Sequence, residues 1–301
     1  MIKKILLGIG VLFALLLVVG GAWATWEVHA YDTSMAKVYD VPLPSIVVSN
    51  DPASIERGKH LAESLGGCLS CHGNDLAHAK KEEMGPLGVM QPPNITSGRN
   101  GRLGAYSDAE LARLLMHGIK NDGRSVTFMP CQDMGWFPPE DVAAVIAFVR
   151  SMPPVDTEPN VLQLGFLAKV LDRVDTLPVD VARRIDHTHR ETAPPPAPTA
   201  EYGRFVGQLC RGCHGDHLAG GPIPGAPPEI PVPLNLTPDA TGLKDWSYDD
   251  FVKLMRQGIR KNGKKLDPFM PLEPMRAMND TELQALWAYL QTLPPTAFGE
   301  R

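Results

Sequence analysis

The stretch Cys68-Leu69-Ser70-Cys71-His72 holds two thiols separated by two residues and followed at once by an imidazole. The same spacing returns at Cys210-Arg211-Gly212-Cys213-His214. Thiols one helical turn apart can add to the two vinyl groups of a haem, and the adjacent imidazole can reach the iron from the same side. The two stretches predict two covalently attached haem c groups, with Cys68, Cys71, Cys210 and Cys213 forming thioethers and His72 and His214 binding iron.

Paired cysteines also occur as redox-active dithiols, as halves of zinc sites and as disulfides. A single zinc site built from both motifs is disfavoured because 138 residues separate Cys71 from Cys210, whereas compact zinc sites keep their halves closer. A disulfide leaves the histidine at the same offset in both motifs unexplained. The chain has only five cysteines in 301 residues, so two chance matches to the motif are rare, and haem attachment is the favoured interpretation.

A methionine follows each motif at nearly the same distance. Phe128-Met129-Pro130 places its sulfur 57 residues after His72, and Phe269-Met270-Pro271 places its sulfur 56 residues after His214. A single methionine most often serves core packing, but a matched pair on a repeat favours iron ligation by a soft thioether. We therefore predict Met129 and Met270 as the second axial ligands.

Several other landmarks recur with nearly the same offset. Asn94-Ile95-Thr96 is matched by Asn235-Leu236-Thr237 at an offset of 141, and Ser107 by Ser247 at an offset of 140. A constant offset indicates a duplicated domain, which we place at residues 53–155 and 199–301. No stretch shows sustained alternation with a period of two, so the predicted fold class is all-α. Within the first copy, Ser107 with Glu110 predicts the start of one helix, and Pro138 to Asp141 predicts the start of the last one.

The N-terminus carries Lys3 and Lys4, followed by the uncharged, apolar stretch Ile5–Trp26. These 22 residues can cross a bilayer as one helix, with the lysines on the cytoplasmic side and the rest of the chain in the periplasm. A cleaved signal peptide is the alternative, since Ala22-Trp23-Ala24 fits a cleavage site, but the apolar run exceeds an ordinary signal core. We predict a membrane anchor over residues 1–26.

Two connecting segments remain. Residues 27–52 contain scattered prolines and are predicted to form an extended tether. Residues 156–198 form a linker with a short apolar part, Val161–Leu171, and a stiff proline-rich part, Pro194–Pro198. The apolar part is too short to span a membrane, and we expect it to pack between the domains rather than lie on the membrane surface.

Other polar side chains favour ordinary roles. Cys131 is expected to be a packed residue, because the second copy has Leu272 in its place. Four histidines lack consistent repeat partners and are expected to be surface groups or neighbours of ligands: His60, His78, His117 and His217. A basic cluster before Met270 could be a docking rim for an acidic partner, but a solvated face is the commoner role: Lys253, Arg256, Arg260, Lys261, Lys264 and Lys265. The net charge of −5 gives no indication of nucleic-acid binding.

The segment from Asn235-Leu236-Thr237-Pro238-Asp239 through Met270-Pro271 and Ala288-Tyr289-Leu290 to Leu293-Pro294-Pro295 resembles the haem-binding repeats in cytochrome c subunits of bacterial membrane-bound alcohol and gluconate dehydrogenases. The layout, two class I cytochrome c domains behind an N-terminal anchor, is also similar to dihaem cytochromes c of respiratory chains. The dehydrogenase subunits typically carry three such domains, and two are found here. The resemblance is specific for haem c and says little about the redox partner.

The resemblance implies an electron carrier with low-spin haems, in the inner membrane of a bacterium, and no substrate site of its own. Its partner would be a quinol-oxidising complex, a terminal oxidase, a photosynthetic reaction centre or a dehydrogenase. A cytochrome c subunit of an alcohol or sugar dehydrogenase is the alternative role. A dihaem peroxidase is a further alternative, but such an enzyme needs an iron with an open sixth position, whereas a methionine is available to each haem here.

Overall fold

The computed structural model describes residues 2–224, 226 and 228–301. Its two repeats are each built around one pair of packed helices. Twelve α-helices are found in these residues: α1 (Ile2–Ala36), α2 (Pro52–Glu63), α3 (Cys68–His72), α4 (Asp108–His117), α5 (Cys131–Met134), α6 (Pro139–Ser151), α7 (Phe166–Arg173), α8 (Ala200–Val206), α9 (Gln208–His214), α10 (Tyr248–Gln257), α11 (Leu272–Ala277) and α12 (Asp280–Thr292). A small antiparallel sheet has the strand order β1 (Glu82–Glu83), β2 (Gly88–Met90) and β3 (Leu162–Leu164). Helices dominate, which confirms the predicted fold class apart from this sheet.

The same arrangement of helices is found in both repeats. The first and last helices of each repeat pack against each other, α2 on α6 and α8 on α12. The third helix of each repeat has a serine as its N-cap, Ser107 before α4 and Ser247 before α10, and each serine forms a capping box with the acid three residues later. The predicted helix start at Ser107 is thus confirmed, and it satisfies backbone N–H groups that the helix itself cannot pair.

The first helix is longer than the sequence pattern predicts. It is apolar and long enough to cross a bilayer, and it continues ten residues beyond Trp26 to Ala36. The prediction of an extended tether is wrong for residues 27–36, because this end of α1 packs against α7 through a stripe that includes the buried Tyr31. Two ion pairs flank the contact, Lys169 with Asp32 at 2.7 Å and Arg173 with Glu27 at 3.6 Å.

The apolar part of the linker was expected from its sequence to pack between the repeats, and this prediction is wrong. Its first residues form β3, which pairs with β2 beside the first repeat. The following helix α7 is amphipathic and lies on α1. Burying its apolar face on α1 supplies the partner that a short amphipathic helix needs for stability. The linker therefore fixes the C-terminal end of α1 to the first repeat.

The two repeats share one apolar core. Trp136 of the first repeat packs against Phe205 of the second, with ring centroids 5.8 Å apart. Nearby, His60 Nε2 lies 2.8 Å from Glu282 Oε1, and the Glu282 carboxylate is fully buried. A buried carboxylate needs a polar partner, so this contact ties α2 to the start of α12.

Candidate haem sites

Each Cys-x-x-Cys-His motif forms a short helix that ends at its histidine. The next residue is Gly73 in one copy and Gly215 in the other, both with φ of 82°. This backbone angle is strained for any residue with a Cβ, which explains the glycine after each motif. The turn closes with main-chain hydrogen bonds from Gly73 to Leu69 at 3.0 Å and from Gly215 to Arg211 at 2.9 Å.

Both motif histidines are buried and oriented by the main chain. His72 is 9% exposed and donates from Nδ1 to the carbonyl of Pro93 at 2.9 Å, while His214 is 4% exposed and donates to the carbonyl of Leu234 at 2.6 Å. Burial lowers the pKa of both imidazoles, which favours the neutral form. A neutral imidazole that donates through Nδ1 presents Nε2 as a metal ligand, the arrangement that a haem iron requires.

The four motif cysteines are free thiols near these imidazoles. Burial raises the pKa of Cys68 to about 11 and that of Cys210 to about 12. No three His, Cys, Asp or Glu side chains among the described residues come together as a metal-binding group. Two protonated thiols beside one buried imidazole in each repeat match the donor set of covalent haem c.

The carbonyl that holds each histidine is positioned by a repeated loop. Leu76 and Leu218 are buried and adopt positive φ angles of 58° and 57°. The Leu76 carbonyl accepts a 2.8 Å hydrogen bond from the main-chain N–H of Ile95, and the Leu218 carbonyl accepts one of 2.8 Å from that of Leu236. A strained angle at a non-glycine residue persists only where its surroundings fix it, so these leucines hold the loop in place. The sequence analysis missed them, although their offset of 142 matches the repeat.

The repeated Asn-x-Thr landmarks have a structural role beside the sites. Asn94 donates to the carbonyl of Val155 at 2.8 Å, and its own side-chain oxygen accepts from the main chain of Thr96 at 2.8 Å. Asn235 makes the same pair of contacts with Thr296 and Thr237. We call this arrangement the strap clamp, because it pins the segment that leaves the last helix of the repeat to the loop after the motif.

Met129 and Met270 lie half-buried in the loops before α5 and α11, as equivalent positions of the repeat. Their ligation of iron stays a prediction. A second pair of methionines, Met134 and Met275, lies five residues further along and is buried. An added Cβ on Gly66 would lie 3.4 Å from the sulfur of Cys68 and 3.7 Å from that of Met134, so this second sulfur is close to the first motif.

The two motifs lie near each other across the contact between the repeats. Leu69 and Ser70 of the first motif share a groove of about 1130 Å³ with Met270 of the second repeat. On the other side, the carboxylate of Asp133 in α5 is close enough to Cys213 to raise the pKa of its thiol, in addition to the larger effect of burial. The loop that carries Met270 therefore also borders the first motif.

The remaining polar candidates take up ordinary contacts. Cys131 is fully buried. His60 pairs with Glu282, His78 with Asp75 at 2.6 Å, and His117 lies 3.3 Å from His187. In the basic cluster before Met270, Arg256 binds Asp280 and Lys261 binds Asp250.

Two motif helices with buried imidazoles, held between crossed helix pairs, define a class of protein, the covalent haem-binding electron carriers. The family model for cytochrome c matches residues 55–153 and 201–294. The chain belongs to the cytochrome c family, it carries two haem c groups, and it is an electron carrier.

Similar proteins include subunits of dehydrogenases. The cytochrome subunit of fructose dehydrogenase from Gluconobacter japonicus is 32% identical over 275 residues, which cover 81% of this chain and 53% of the relative. The cytochrome c subunit of gluconate 2-dehydrogenase from Pantoea cypripedii is 41% identical over 85 residues, or 27% of this chain and 19% of the relative. A dihaem cytochrome c-type protein of Cereibacter sphaeroides is 26% identical over 76% of this chain and 82% of its own length. The chain thus spans about half or less of the dehydrogenase subunits that it matches.

Proposed function

We propose that this protein is a membrane-anchored dihaem cytochrome c that passes single electrons between redox partners at the periplasmic face of a bacterial inner membrane. The observation that carries the proposal is the matched pair of buried imidazoles. In both repeats Nδ1 donates to a main-chain carbonyl, at 2.9 Å for His72 and 2.6 Å for His214, and leaves Nε2 as the metal-binding atom.

We assign the ligands repeat by repeat. Cys68 and Cys71 would form the thioethers of the first haem, with His72 and Met129 as axial ligands. Cys210 and Cys213 would hold the second haem, with His214 and Met270 as axial ligands. When bound, each haem supplies an iron that alternates between the ferric and ferrous states. The chain's own residues keep the imidazoles neutral, exclude water from them and offer a soft sulfur as sixth ligand, which favours the ferrous state.

A carrier without a substrate site is the role that such a ligand set supports. If a methionine binds each iron, no coordination position remains for a substrate or for peroxide. The distinction from a peroxidase therefore depends on Met129 and Met270. We expect no peroxide turnover above that of ordinary low-spin cytochromes.

Membrane attachment would come from α1. Its apolar part is exposed along its length, and Lys3 and Lys4 stand at its N-terminal end. Basic residues favour the cytoplasmic side, so both haem-binding repeats would lie in the periplasm. The contact between α1 and α7 would hold the first repeat close to the membrane.

A second candidate function is the cytochrome subunit of a membrane-bound dehydrogenase for an alcohol or a sugar. The similarity to the fructose dehydrogenase cytochrome subunit, which extends over 81% of this chain, favours it. The chemistry within the chain would be the same in both cases. Only the source of the electrons differs.

Purification of the tagged full-length protein from native membranes in mild detergent tests the proposal, with membranes from the untagged strain as the control. A quinol-oxidising complex, terminal oxidase or photosynthetic reaction centre in fixed ratio supports a respiratory or photosynthetic carrier. A flavin- or quinone-containing dehydrogenase subunit in fixed ratio supports the second candidate. A purified protein with high-spin iron that turns over hydrogen peroxide would contradict both.

A further inference from the structure

Arg301 lies directly on the second haem-attachment helix. Its guanidinium donates to the carbonyl oxygen of Cys213 at 2.7 Å and to that of Gly221 at 2.7 Å. An added Cβ on Gly215, the residue after His214, would meet the Cβ of Arg301 at 2.8 Å. The side chain is therefore held by two main-chain acceptors on the segment that carries the second motif.

The residue at the equivalent place in the first repeat is uncharged. The residue 141 positions before Arg301 is the neutral Asn160, which accepts a 3.2 Å hydrogen bond from Arg102 and contacts Gln91. The space beside Gly73 is filled by the carbonyl of His78, and the Asp75 carboxylate lies close to it. The Asp75 carboxylate thus lies beside the glycine after the first motif, whereas Arg301 lies beside the glycine after the second.

A second difference between the repeats also places positive charge at the second motif. The second motif contains Arg211 where the first contains Leu69. Two carboxylates oppose it, that of Asp133 near Cys213 and that of Glu191 near Arg211. Burial raises the pKa of Asp133 to about 6, so this carboxylate is only partly ionised in weakly acidic solution.

We propose that Arg301 raises the reduction potential of the second haem above that of the first and so directs electrons from the first repeat to the second. The inference rests on the proposed function, because it requires a haem on each motif. An oxidised haem carries one more positive charge than a reduced haem, so a fixed cation nearby destabilises the oxidised form. The Arg301 guanidinium donates to the carbonyl oxygen of Cys213, the residue directly before His214, so its charge lies close to the second site.

The direction of transfer follows from the fold. The first repeat is the one attached to α1 through the linker. Electrons would arrive at the membrane-proximal first haem and rest on the second, from which a partner collects them. Arg301 is a positioning and tuning residue in this scheme, since it touches the motif helix rather than a reacting atom.

Spectroelectrochemical titration of the full-length dihaem protein, at fixed pH and ionic strength, tests the inference. In the unmodified protein two one-electron steps are expected, and Met270→His, which changes an axial ligand, identifies the step of the second haem. The second haem should be reduced first. Arg301→Gln keeps the backbone and a hydrogen-bond donor but removes the charge, and it should lower the equilibrium constant for transfer from the first to the second haem about tenfold, or about 59 mV.

Two further variants separate charge from structure. Arg301→Lys should retain most of the difference in potential, and Arg102→Gln, which removes the guanidinium bound to Asn160, should leave that difference undiminished. Unchanged potentials in Arg301→Gln, or an equal loss in Arg301→Lys, would overturn the inference. A first haem of higher potential in the unmodified protein would do the same. Failure of the proposed function has a different signature, the absence of two low-spin haem signals before any substitution at position 301.

Discussion

Gly58 of α2 lies directly against the main chain of Ala144 in α6, so close that a Cβ at position 58 would overlap the Ala144 carbonyl oxygen. The second repeat has the same contact between Gly203 and Ala285. Only glycine allows two helices to cross at this separation without moving one of them. The crossing also fixes where each motif helix begins, because α3 follows α2 and α9 follows α8.

Gly58→Ala should therefore separate α2 from α6 and destabilise the first repeat by about 2 kcal/mol or more, as overpacking of a closed contact does. Denaturant unfolding of the haem-loaded protein measures the change. Gly203→Ala should act equally on the second repeat. Gly104→Ala is the matched control, since an added Cβ there meets nothing within 4 Å; an effect at Gly104 as large as that at Gly58 would contradict the explanation.

Met129→Ala and Met270→Ala should each convert one of the two haems from low to high spin and leave the other unchanged. Loss of the sulfur ligand opens the sixth coordination position, and the potential of that haem should fall. Absorption and electron paramagnetic resonance spectra measure the result. Met134→Leu and Met275→Leu are the controls because these sulfurs are buried in equivalent positions of both repeats. If the controls rather than the first two variants removed the low-spin signal, our ligand assignment would be wrong.

Arg57→Leu should destabilise the first repeat by about 3 kcal/mol. Arg57 binds both oxygens of Asp141, at 2.9 and 2.7 Å, and its removal leaves a largely buried carboxylate without its cation. Adding Asp141→Asn should recover part of the loss, which a double-mutant cycle in denaturant would measure. Glu273→Gln, which breaks the exposed pair with Arg276, should change stability by less than about 1 kcal/mol.

The pH dependence of stability should contain a contribution from Asp133. Burial raises its pKa from 3.8 to about 6, so the folded state binds this proton more tightly than the unfolded state. Stability from this group is thus present below about pH 4 and decreases as the pH rises towards 6, by about 1 to 3 kcal/mol. Asp133→Asn should flatten the decrease in this window, as measured by unfolding at several pH values. Gln132→Asn, at the exposed neighbouring position, should leave the slope unchanged.

Two truncations, each placed behind a cleavable export signal, distinguish the exposed apolar part of α1 from its packed end. A chain that begins at Glu27 should leave the membrane fraction and keep its melting temperature. A chain that begins at Lys37 should melt about 5 °C lower, because it loses Tyr31 from its packed position and the 2.5 Å hydrogen bond of Ser34 with Asp180. Equal melting temperatures would show that residues 27–36 contribute nothing to the fold.

The sequence allowed prediction of those features that depend on spacing along the chain. The Cys-x-x-Cys-His motifs, the offset near 141 and the apolar run after Lys4 are all local patterns. The continuation of α1 was missed because Glu27, His29 and Asp32 interrupt its apolar pattern, and only packing on α7 makes that part helical. Long-range contacts override local preference in such segments.

The main-chain contacts of the motif histidines could not be predicted from the sequence either. The groups that orient His72 and His214 are the carbonyls of Pro93 and Leu234, and a carbonyl leaves no mark in the sequence because every residue has one. The closeness of Asp133 to Cys213 depends on how the repeats face each other, which no spacing within one repeat determines. The contrast between Arg301 and Asn160 could not be recognised from the sequence, because it depends on the contacts that each residue makes in the folded chain.

The strap clamp described above has a consequence for the architecture of longer chains. By pinning Val155 and Thr296 to the loop after the motif, it brings the exit of each repeat back to a fixed point on its own surface. The segment that follows each repeat therefore starts from the same place, beside the loop that orients the motif histidine. Duplication of such a unit adds a second haem site whose exit is again fixed beside its own motif, while the two copies share one apolar core.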